Sequence, residues 1–154
     1  MQTPASGRYF EEFSVGDAYL HDIERTLSEA DNLLFSTLTH NAEPWHLDDL
    51  HGQHSMYGSR VVNSIFTLMW ACSVGIDRLT HGTMLGNLGF SDVRFTRPVF
   101  FGDTLRAESE ILDKRTAAPD SDAGIIELES RAYNQRREMV TRFRCVRLVR
   151  RVPR

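Results

Sequence analysis

The chain's strongest helical stretch, residues 61–79, reads Val61-Val62-Asn63-Ser64-Ile65-Phe66-Thr67-Leu68-Met69-Trp70-Ala71-Cys72-Ser73-Val74-Gly75-Ile76-Asp77-Arg78-Leu79. Its apolar residues recur at helical spacing and spread over much of the helix circumference. A helix that is apolar nearly all round is stable in water only when it is buried. The stretch therefore predicts a long central helix that other elements must cover.

Alternating strands follow this helix and provide the cover. Residues 103–113 place Leu105, Ala107, Ser109 and Ile111 on one face and Thr104, Arg106, Glu108 and Glu110 on the other. Residues 125–133 and 139–149 are further predicted strands, joined by a hairpin at 134–137. The sequence thus predicts a single α+β domain over residues 1–154, in which a curved, mostly antiparallel β-sheet wraps round a long central helix. An edge of such a sheet invites pairing with a second copy.

The first third of the chain predicts a strand, a helix and a long polar loop. Residues 17–26 read as a strand after a turn at Gly16. Ser28 is the expected N-cap of a helix with Asp31 in its first turn, and Leu33, Leu34, Phe35 and Leu38 fit one helical face. Residues 40–60 are rich in His, Asp and Gly and predict an irregular loop, the kind of segment that often carries function.

Composition excludes several classes of protein. Hydrophobic residues make up 41% and charged residues 25% of 154, which is typical of a globular chain. The net charge of −3 disfavours a nucleic-acid binder, and no apolar run is long enough for a transmembrane helix. The N-terminus lacks the pattern of a signal peptide, and Cys72 and Cys145 indicate free buried thiols in a reducing cytoplasm. Residues 1–8 and 150–154 are predicted to be loose tails.

Acid–base groups concentrate in residues 39–49, where a histidine, His40 or His46, can both take and give a proton near neutral pH. The alternative is a surface loop with scattered polar residues. The histidines lack the spacing of a metal site, so we expect no metal. Cys72 lies within an apolar helix, where a free thiol is usually a small hydrophobe rather than a nucleophile.

The start of the long helix is a second candidate feature. Its unpaired N–H groups carry partial positive charge and can hold a carbonyl oxygen or an enolate-like oxyanion. Asn63 and Ser64 lie at this point. For Asn63, capping the helix is an equally good explanation.

Several ordered motifs resemble those of MaoC-like acyl dehydratases, and together they cover about residues 9–150. They are Tyr9-Phe10-Glu11-Glu12-Phe13-Ser14-Val15-Gly16-Asp17, Pro44-Trp45-His46-Leu47-Asp48, Tyr57-Gly58-Ser59-Arg60-Val61-Val62-Asn63-Ser64, Asn87-Leu88-Gly89, Val93-Arg94-Phe95, Arg97-Pro98-Val99-Phe100-Phe101-Gly102-Asp103-Thr104-Leu105 and Arg131-Ala132-Tyr133-Asn134-Gln135. The resemblance implies a hot-dog fold, the sheet-round-helix arrangement already predicted, usually assembled as a dimer or double hot dog.

The resemblance also implies a catalytic pair with the pattern Asp-x-Asn-Pro-x-His. His46 fills the histidine position, but Asn41 stands at the Asp position and Glu43 at the Asn position. An amide cannot take a proton at neutral pH. Three alternatives follow: His46 transfers the proton while Asn41 positions water, Glu43 substitutes for the acid, or activity is lost. The backbone N–H of Ser64 takes the family's oxyanion-stabilising role, and Asn63, Trp45 and Pro44 are expected to contact substrate.

The implied activity is that of an acyl-CoA hydratase or dehydratase, a hydro-lyase that adds or removes water across the 2,3-bond of an enoyl thioester. Coenzyme A or an acyl carrier would be part of the substrate, with no separate cofactor, no nucleic acid and no membrane. Asn at position 41 resembles a subgroup of mesaconyl-CoA and β-methylmalyl-CoA hydratases, which suggests a short branched or dicarboxylic acyl group. Because hot-dog sites usually form at a subunit interface, the resemblance also implies a homodimer or larger homo-oligomer. The alternatives are a non-catalytic hot-dog subunit that binds an acyl thioester or a partner, and a thioesterase on the same fold that uses Glu43 or Asp48.

Overall fold

The computed structural model describes residues 7–153, and its elements confirm the α+β prediction. Within these residues the helices are α1 (Glu29–Leu38), α2 (Pro44–Leu47), α3 (Asp49–His54) and α4 (Ser64–Leu79), and a 3-10 turn covers Phe10–Glu12. The strands are β1 (Ala18–Leu20), β2 (Arg25–Thr26), β3 (Met84–Phe95), β4 (Thr104–Thr116), β5 (Ala123–Tyr133) and β6 (Met139–Arg150).

One antiparallel sheet is built in the order β1-β4-β5-β6-β3, and β2 pairs separately with β4. The register of β4 and β5 places Ser109 opposite Ser130. The inner face of β4, β5 and β6 packs against α4, so the sheet covers the central helix as the sequence predicted. Leu105, Ile111 and Phe143 from these strands are fully buried, each contributing about 1.5–3 kcal/mol relative to exposure. Among residues 7–153, no helix combines the length and apolar character needed to cross a bilayer.

Helix α4 begins at Ser64, three residues later than expected, because the residues before it bond to a neighbouring loop. The N–H of Val62 donates to the carbonyl of Val99 at 2.8 Å. Asn63 is the N-cap, with its side-chain oxygen accepting from the N–H of Ile65 at 3.0 Å. The helix buries Thr67, Leu68, Trp70, Ala71, Cys72, Val74, Gly75 and Leu79.

Two local predictions in the first third of the chain are wrong. The predicted strand over 17–26 is two short strands, β1 and β2, separated by residues 21–24. The predicted loop over 40–60 contains α2 and α3, where Asp48 caps α3 by accepting from the N–H groups of Leu50 and His51.

The predicted tails are tied to the fold wherever they are described. The N–H of Gly7 donates to His81, and that of Arg8 to Leu79. Arg151 bonds Glu11 through its Nε at 2.7 Å. Residues 1–6 and 154, which belong to the same prediction, lie outside the described residues.

Helix α1 turns a different face inward from the one that the sequence suggested. Its cap is as expected, with the Ser28 hydroxyl accepting from the N–H of Asp31. Leu33, Leu34 and Leu38 are exposed, however, and the buried residues of the helix are Asn32 and Ser36. The inward face of α1 is therefore polar, which prepares the site described next.

Candidate active site

His46 lies on α2 with its ring buried and both ring nitrogens hydrogen bonded. Nδ1 is 2.8 Å from the carbonyl oxygen of Val61. Because a carbonyl only accepts, Nδ1 carries the proton and donates it. Nε2 therefore holds a lone pair, which accepts from the indole N–H of Trp45 at 3.2 Å. These contacts match the tautomer with the proton on Nδ1 and a lone pair on Nε2, the nitrogen that can act as a base.

The short helix α2 presents His46 because both of its ends are held. Pro44 occupies its first turn, where the missing N–H costs nothing. The N–H of Val61 donates to the carbonyl of Trp45 at 3.1 Å. The carbonyl of His46 itself accepts from the side-chain amide of Asn32 at 3.1 Å. Four residues of helix are too few to be stable alone, so these contacts position the imidazole.

A buried hydrogen-bond network joins His46 to the start of α4. Asn32 donates to the His46 carbonyl, and its side-chain oxygen accepts from the N–H of Asn63 at 2.8 Å. The side-chain amide of Asn63 is 3.3 Å from the hydroxyl of Ser36, to which it donates. We call His46, Asn32, Ser36 and Asn63 the cleft cluster. All four residues are buried, so the network holds the base and the helix start in fixed relation.

The first turn of α4 supplies backbone donors beside this cluster. The N–H of Ile65 is used by the Asn63 cap. For the N–H of Ser64, no hydrogen-bond acceptor is recorded within residues 7–153. This N–H group lies at the positive end of a sixteen-residue helix, where a developing oxyanion is stabilised.

His46 and Ser64 line the same cleft, which has a volume of about 300 Å³. The other lining residues are Trp45, Tyr57, Val61, Val62, Thr67, Phe95, Thr96, Arg97, Pro98, Val99 and Val140. A small apolar cleft with a few convergent polar groups is the usual form of a small-molecule site. The structure therefore brings together the predicted base and the predicted oxyanion donor.

Trp45 also lines this cleft, whereas the remaining predicted site residues, Asn41, Glu43, Pro44 and Asn63, do not. Asn41 is half-buried, and its side-chain oxygen accepts from the N–H of Glu43 at 3.4 Å. No hydrogen bond between Asn41 and His46 is recorded among the described residues. Glu43 is exposed at the N-cap of α2 and makes no capping bond. Pro44 and Asn63 act on the cleft indirectly. Pro44 begins α2, which carries His46, and Asn63 caps α4, which begins at Ser64.

Sequence reasoning missed Asn32, Ser36 and Thr67. The i and i+4 spacing of the first two shows that they share a helix face, but not that this face is buried, because Glu29, Asp31 and Thr37 of the same helix are polar as well. Thr67 lies one turn after Ser64, is 2% exposed, and its hydroxyl has no hydrogen-bond partner recorded within residues 7–153. A buried hydroxyl without a partner is costly, and this one borders the cleft.

The remaining reactive groups stand apart from the cleft. Cys72 and Cys145 are free and buried. Burial raises the pKa of both thiols, that of Cys145 to about 11, which disfavours the thiolate form. Within residues 7–153 no group of three or more His, Cys, Asp and Glu side chains is arranged to hold a metal ion.

The fold and the cleft define a class of protein in which a β-sheet wraps round a central helix and a histidine lies beside the start of that helix. Comparison with known families gives the particular family. The model of the MaoC like domain matches residues 11–132, and the chain belongs to this family.

Two curated relatives match most of the chain. The mesaconyl-CoA hydratase of Cereibacter sphaeroides is 28% identical over 143 residues, covering 93% of this chain and 41% of its own length. The β-methylmalyl-CoA dehydratase of Chloroflexus aurantiacus is 27% identical over 155 residues, covering 89% of this chain and 38% of its own length. The chain therefore spans less than half the length of these relatives.

A solved structure identifies the type of fold. A Mycobacterium tuberculosis protein described as having a double hot-dog fold superposes with a TM-score of 0.86 and 20% identity. The match covers 96% of this chain and 45% of that one. The predicted hot-dog fold is confirmed, and the chain corresponds in size to one of two such units.

Proposed function

We propose that the protein is an acyl-CoA hydratase or dehydratase, a hydro-lyase that acts on the 2,3-bond of an enoyl thioester. The observation that carries the proposal is the single cleft shared by His46, held as a neutral base, and the open backbone N–H of Ser64. Hydration of an enoyl thioester needs a base for water and a donor for the thioester oxygen, which are the two groups found.

In the hydration direction, Nε2 of His46 takes a proton from water as the oxygen attacks C3. Electron density moves from the double bond to the thioester oxygen, which the Ser64 N–H stabilises as an enolate, a contribution of about 3 kcal/mol in related sites. The enolate then collapses and C2 receives the proton held at Nε2. One water molecule is consumed, with its hydroxyl on C3 and its hydrogen on C2.

Proton transfer is assigned to His46 alone in this mechanism. Asn41 carries no titratable group, and its amide oxygen is bound to the backbone of Glu43. Glu43 is exposed and outside the cleft lining, so it is a weaker candidate for the missing acid. Asn41 acts, in this proposal, by holding the turn that leads into α2.

The substrate we propose is a short branched or dicarboxylic acyl-CoA. Both curated relatives carry names of this substrate class, at 27–28% identity. A cleft of about 300 Å³ is at the small end for ligand sites, which favours a short acyl group over a long one.

We also propose that two copies associate through β3. This strand ends the sheet and carries exposed Leu85, Leu88, Phe90 and Phe95. An exposed apolar edge strand is a pairing site, and the double hot-dog neighbour is about twice as long. The two free thiols favour a reducing, cytoplasmic location.

The test is an ultraviolet enoyl-thioester assay on crotonyl-CoA, mesaconyl-CoA, itaconyl-CoA and longer enoyl-CoAs, with a thiol reagent present. We expect loss of the enoyl absorbance without release of free CoA. His46→Ala should lower turnover by about 10²–10⁴-fold while circular dichroism shows the fold retained. His51→Ala, which alters an exposed histidine outside the cleft, is the matched control and should leave the rate unchanged.

Three results would contradict the proposal. Near-normal turnover in His46→Ala would remove the base from the mechanism. Release of free CoA would indicate a thioesterase. No reaction with any substrate, together with a rise in melting temperature on adding acyl-CoA, would indicate a non-catalytic binding subunit. A gain of activity in Asn41→Asp would then identify the missing acid.

A further inference from the structure

Arg97 places a permanent positive charge at a cleft whose walls are mostly apolar. Among residues 7–153, Arg97 is the only arginine or lysine that lines the cleft. Its side chain is 58% exposed, so the guanidinium lies at the rim and not in the core. The proposed mechanism does not use this group, although a planar guanidinium with five donors is a strong ligand for anionic oxygen.

The backbone on either side of Arg97 is fixed. The N–H of Thr96 donates to the carbonyl of Val140 at 3.0 Å, and the Thr96 hydroxyl bonds the carbonyl of Met139. Pro98 follows directly and disfavours a helical conformation at Arg97. Val99 then accepts from the N–H of Val62 beside the start of α4. Arg97 is therefore presented from a rigid loop, and a preorganised group loses less entropy on binding.

The charge of Arg97 is only loosely compensated within the fold. Its Nε lies 3.7 Å from Glu138, beyond hydrogen-bond distance. The contact is to Oε1 of Glu138, and the charge of this carboxylate is shared with Arg136, whose Nε donates to Oε2 at 2.9 Å beside the Asn134 side chain at 2.8 Å. No hydrogen bond of the Arg97 side chain is recorded among the described residues. Its donors are thus available at the cleft rim.

We propose that Arg97 is a specificity-determining residue that binds an anionic oxygen group of the thioester substrate. This inference rests on the proposed function, since it takes the cleft to be the acyl-thioester site. Two parts of the substrate offer the same chemistry: a carboxylate at the far end of a dicarboxylic acyl group, and a phosphate of coenzyme A. Either can form paired N–H···O bonds with a guanidinium.

The experiment measures binding and needs no turnover. Isothermal titration uses three saturated probes: butyryl-CoA, succinyl-CoA and butyryl-pantetheine, which lacks the nucleotide phosphates. The variants are Arg97→Gln and Arg97→Lys. Arg115→Gln is the matched control, because Arg115 is equally exposed at 55%, pairs with Asp113, and lies away from the cleft.

We expect Arg97→Gln to weaken binding by about 10- to 100-fold, the worth of a charge-assisted bidentate contact. Loss confined to succinyl-CoA identifies the acyl carboxylate. Equal loss for both CoA thioesters, with butyryl-pantetheine unaffected, identifies a phosphate. Arg97→Lys should recover part of the affinity, because it keeps the charge but not the paired geometry.

Two results would overturn the inference. In one, Arg97→Gln binds all three probes as the wild type does. In the other, it weakens all three equally, butyryl-pantetheine included, which would indicate a changed cleft and not a lost anion contact. Failure of the hydratase proposal is seen separately, as absence of His46-dependent turnover in a protein that still binds these probes.

Discussion

Two buried polar clusters lie along α4, and only one of them reaches the cleft. The cleft cluster surrounds the start of the helix. The second, which we call the sheet cluster, consists of His21, Ser109, Ser130 and Arg147 and lies between the second half of the helix and the sheet. Its members are all less than 5% exposed, and none lines the cleft.

Most polar groups of the sheet cluster have partners inside the fold, whereas Nε of Arg147 has no hydrogen-bond partner recorded within residues 7–153. Nε2 of His21 is 2.9 Å from the hydroxyl of Ser109, which is 2.8 Å from that of Ser130. Arg147 donates to the carbonyl oxygens of Gly75 and Cys72. No carboxylate within 4 Å of Arg147 is recorded in residues 7–153, so backbone carbonyls provide the negative partners of its charge.

The two histidines show what this difference means. His46 has Nδ1 bound to a carbonyl and Nε2 bound to the indole of Trp45, and both residues line the cleft, whereas His21 does not line it. The pKa of His21 is lowered, mainly because burial disfavours the charged imidazolium and secondly because Arg147 repels it. We therefore expect changes in the cleft cluster to affect both turnover and stability, and changes in the sheet cluster to affect stability alone.

The sharpest way to test this division is a pair of matched side-chain deletions. Asn32 and Ser109 are both buried and both make two side-chain hydrogen bonds. Asn32→Ala leaves the N–H of Asn63 without its partner, and should cost about 2–4 kcal/mol of unfolding free energy and lower turnover at least tenfold. Ser109→Ala should cost about 1–2 kcal/mol and leave kcat/KM unchanged.

Urea unfolding and the enoyl-thioester assay would measure both quantities. Equal loss of rate in the two variants, at concentrations where both are folded, would mean that the clusters are not functionally distinct.

A smaller effect follows from the pH dependence of His21. Its folded-state pKa lies below the unfolded value of about 6.5, so the unfolded chain takes up protons more readily. The free energy of unfolding is therefore fully retained above pH 6.5 and falls as the pH drops from there toward the folded pKa. His21→Gln should reduce the loss of melting temperature between pH 7.5 and pH 5.5.

His51→Gln, at an exposed position, is the control for this measurement and should follow the wild-type curve. A pH dependence of His21→Gln that matches the wild type would show that His21 does not titrate differently in the two states.

The smallest expected effect concerns Thr67, whose buried hydroxyl has no hydrogen-bond partner among the described residues. Thr67→Val removes a buried hydroxyl that has no bond to lose, so stability should be unchanged or rise by up to about 1 kcal/mol. Thr83→Val is the control: its hydroxyl donates to the carbonyl of Arg8 at 2.7 Å, and its loss should cost about 1 kcal/mol. Calorimetric unfolding that shows equal destabilisation would assign Thr67 a structural bond.

Segments with a periodic apolar pattern were predictable from the sequence. Segments whose structure depends on partners far away in the chain were not. The strands expected at 103–113, 125–133 and 139–149 are observed as β4, β5 and β6, because alternation reports a sheet with one buried face. Strand β3 shows no such alternation, since most of its length is partly or fully exposed at the sheet edge. Its bounds could not be read from pattern alone.

The candidate site divides in the same way. His46 and the start of α4 were predictable because their residue types carry their chemistry. Asn32 and Ser36 were not, because their role depends on partners 14 to 31 residues away. Helix α1 was assigned the wrong inner face for this reason: the need to satisfy Asn63 and the His46 carbonyl outweighs the burial of three leucines.

The indole of Trp45 has a consequence for how occupancy of the cleft can be observed. In this structure its N–H group rests on Nε2 of His46, so a water molecule that engages the imidazole must displace it. Protonation of Nε2 also ends the contact, since the imidazolium cannot accept. The chain has two tryptophans, and Trp70 is buried in the core away from these events. We therefore expect the fluorescence of Trp45 to change when His46 is protonated or binds a ligand, while the fluorescence of Trp70 stays the same.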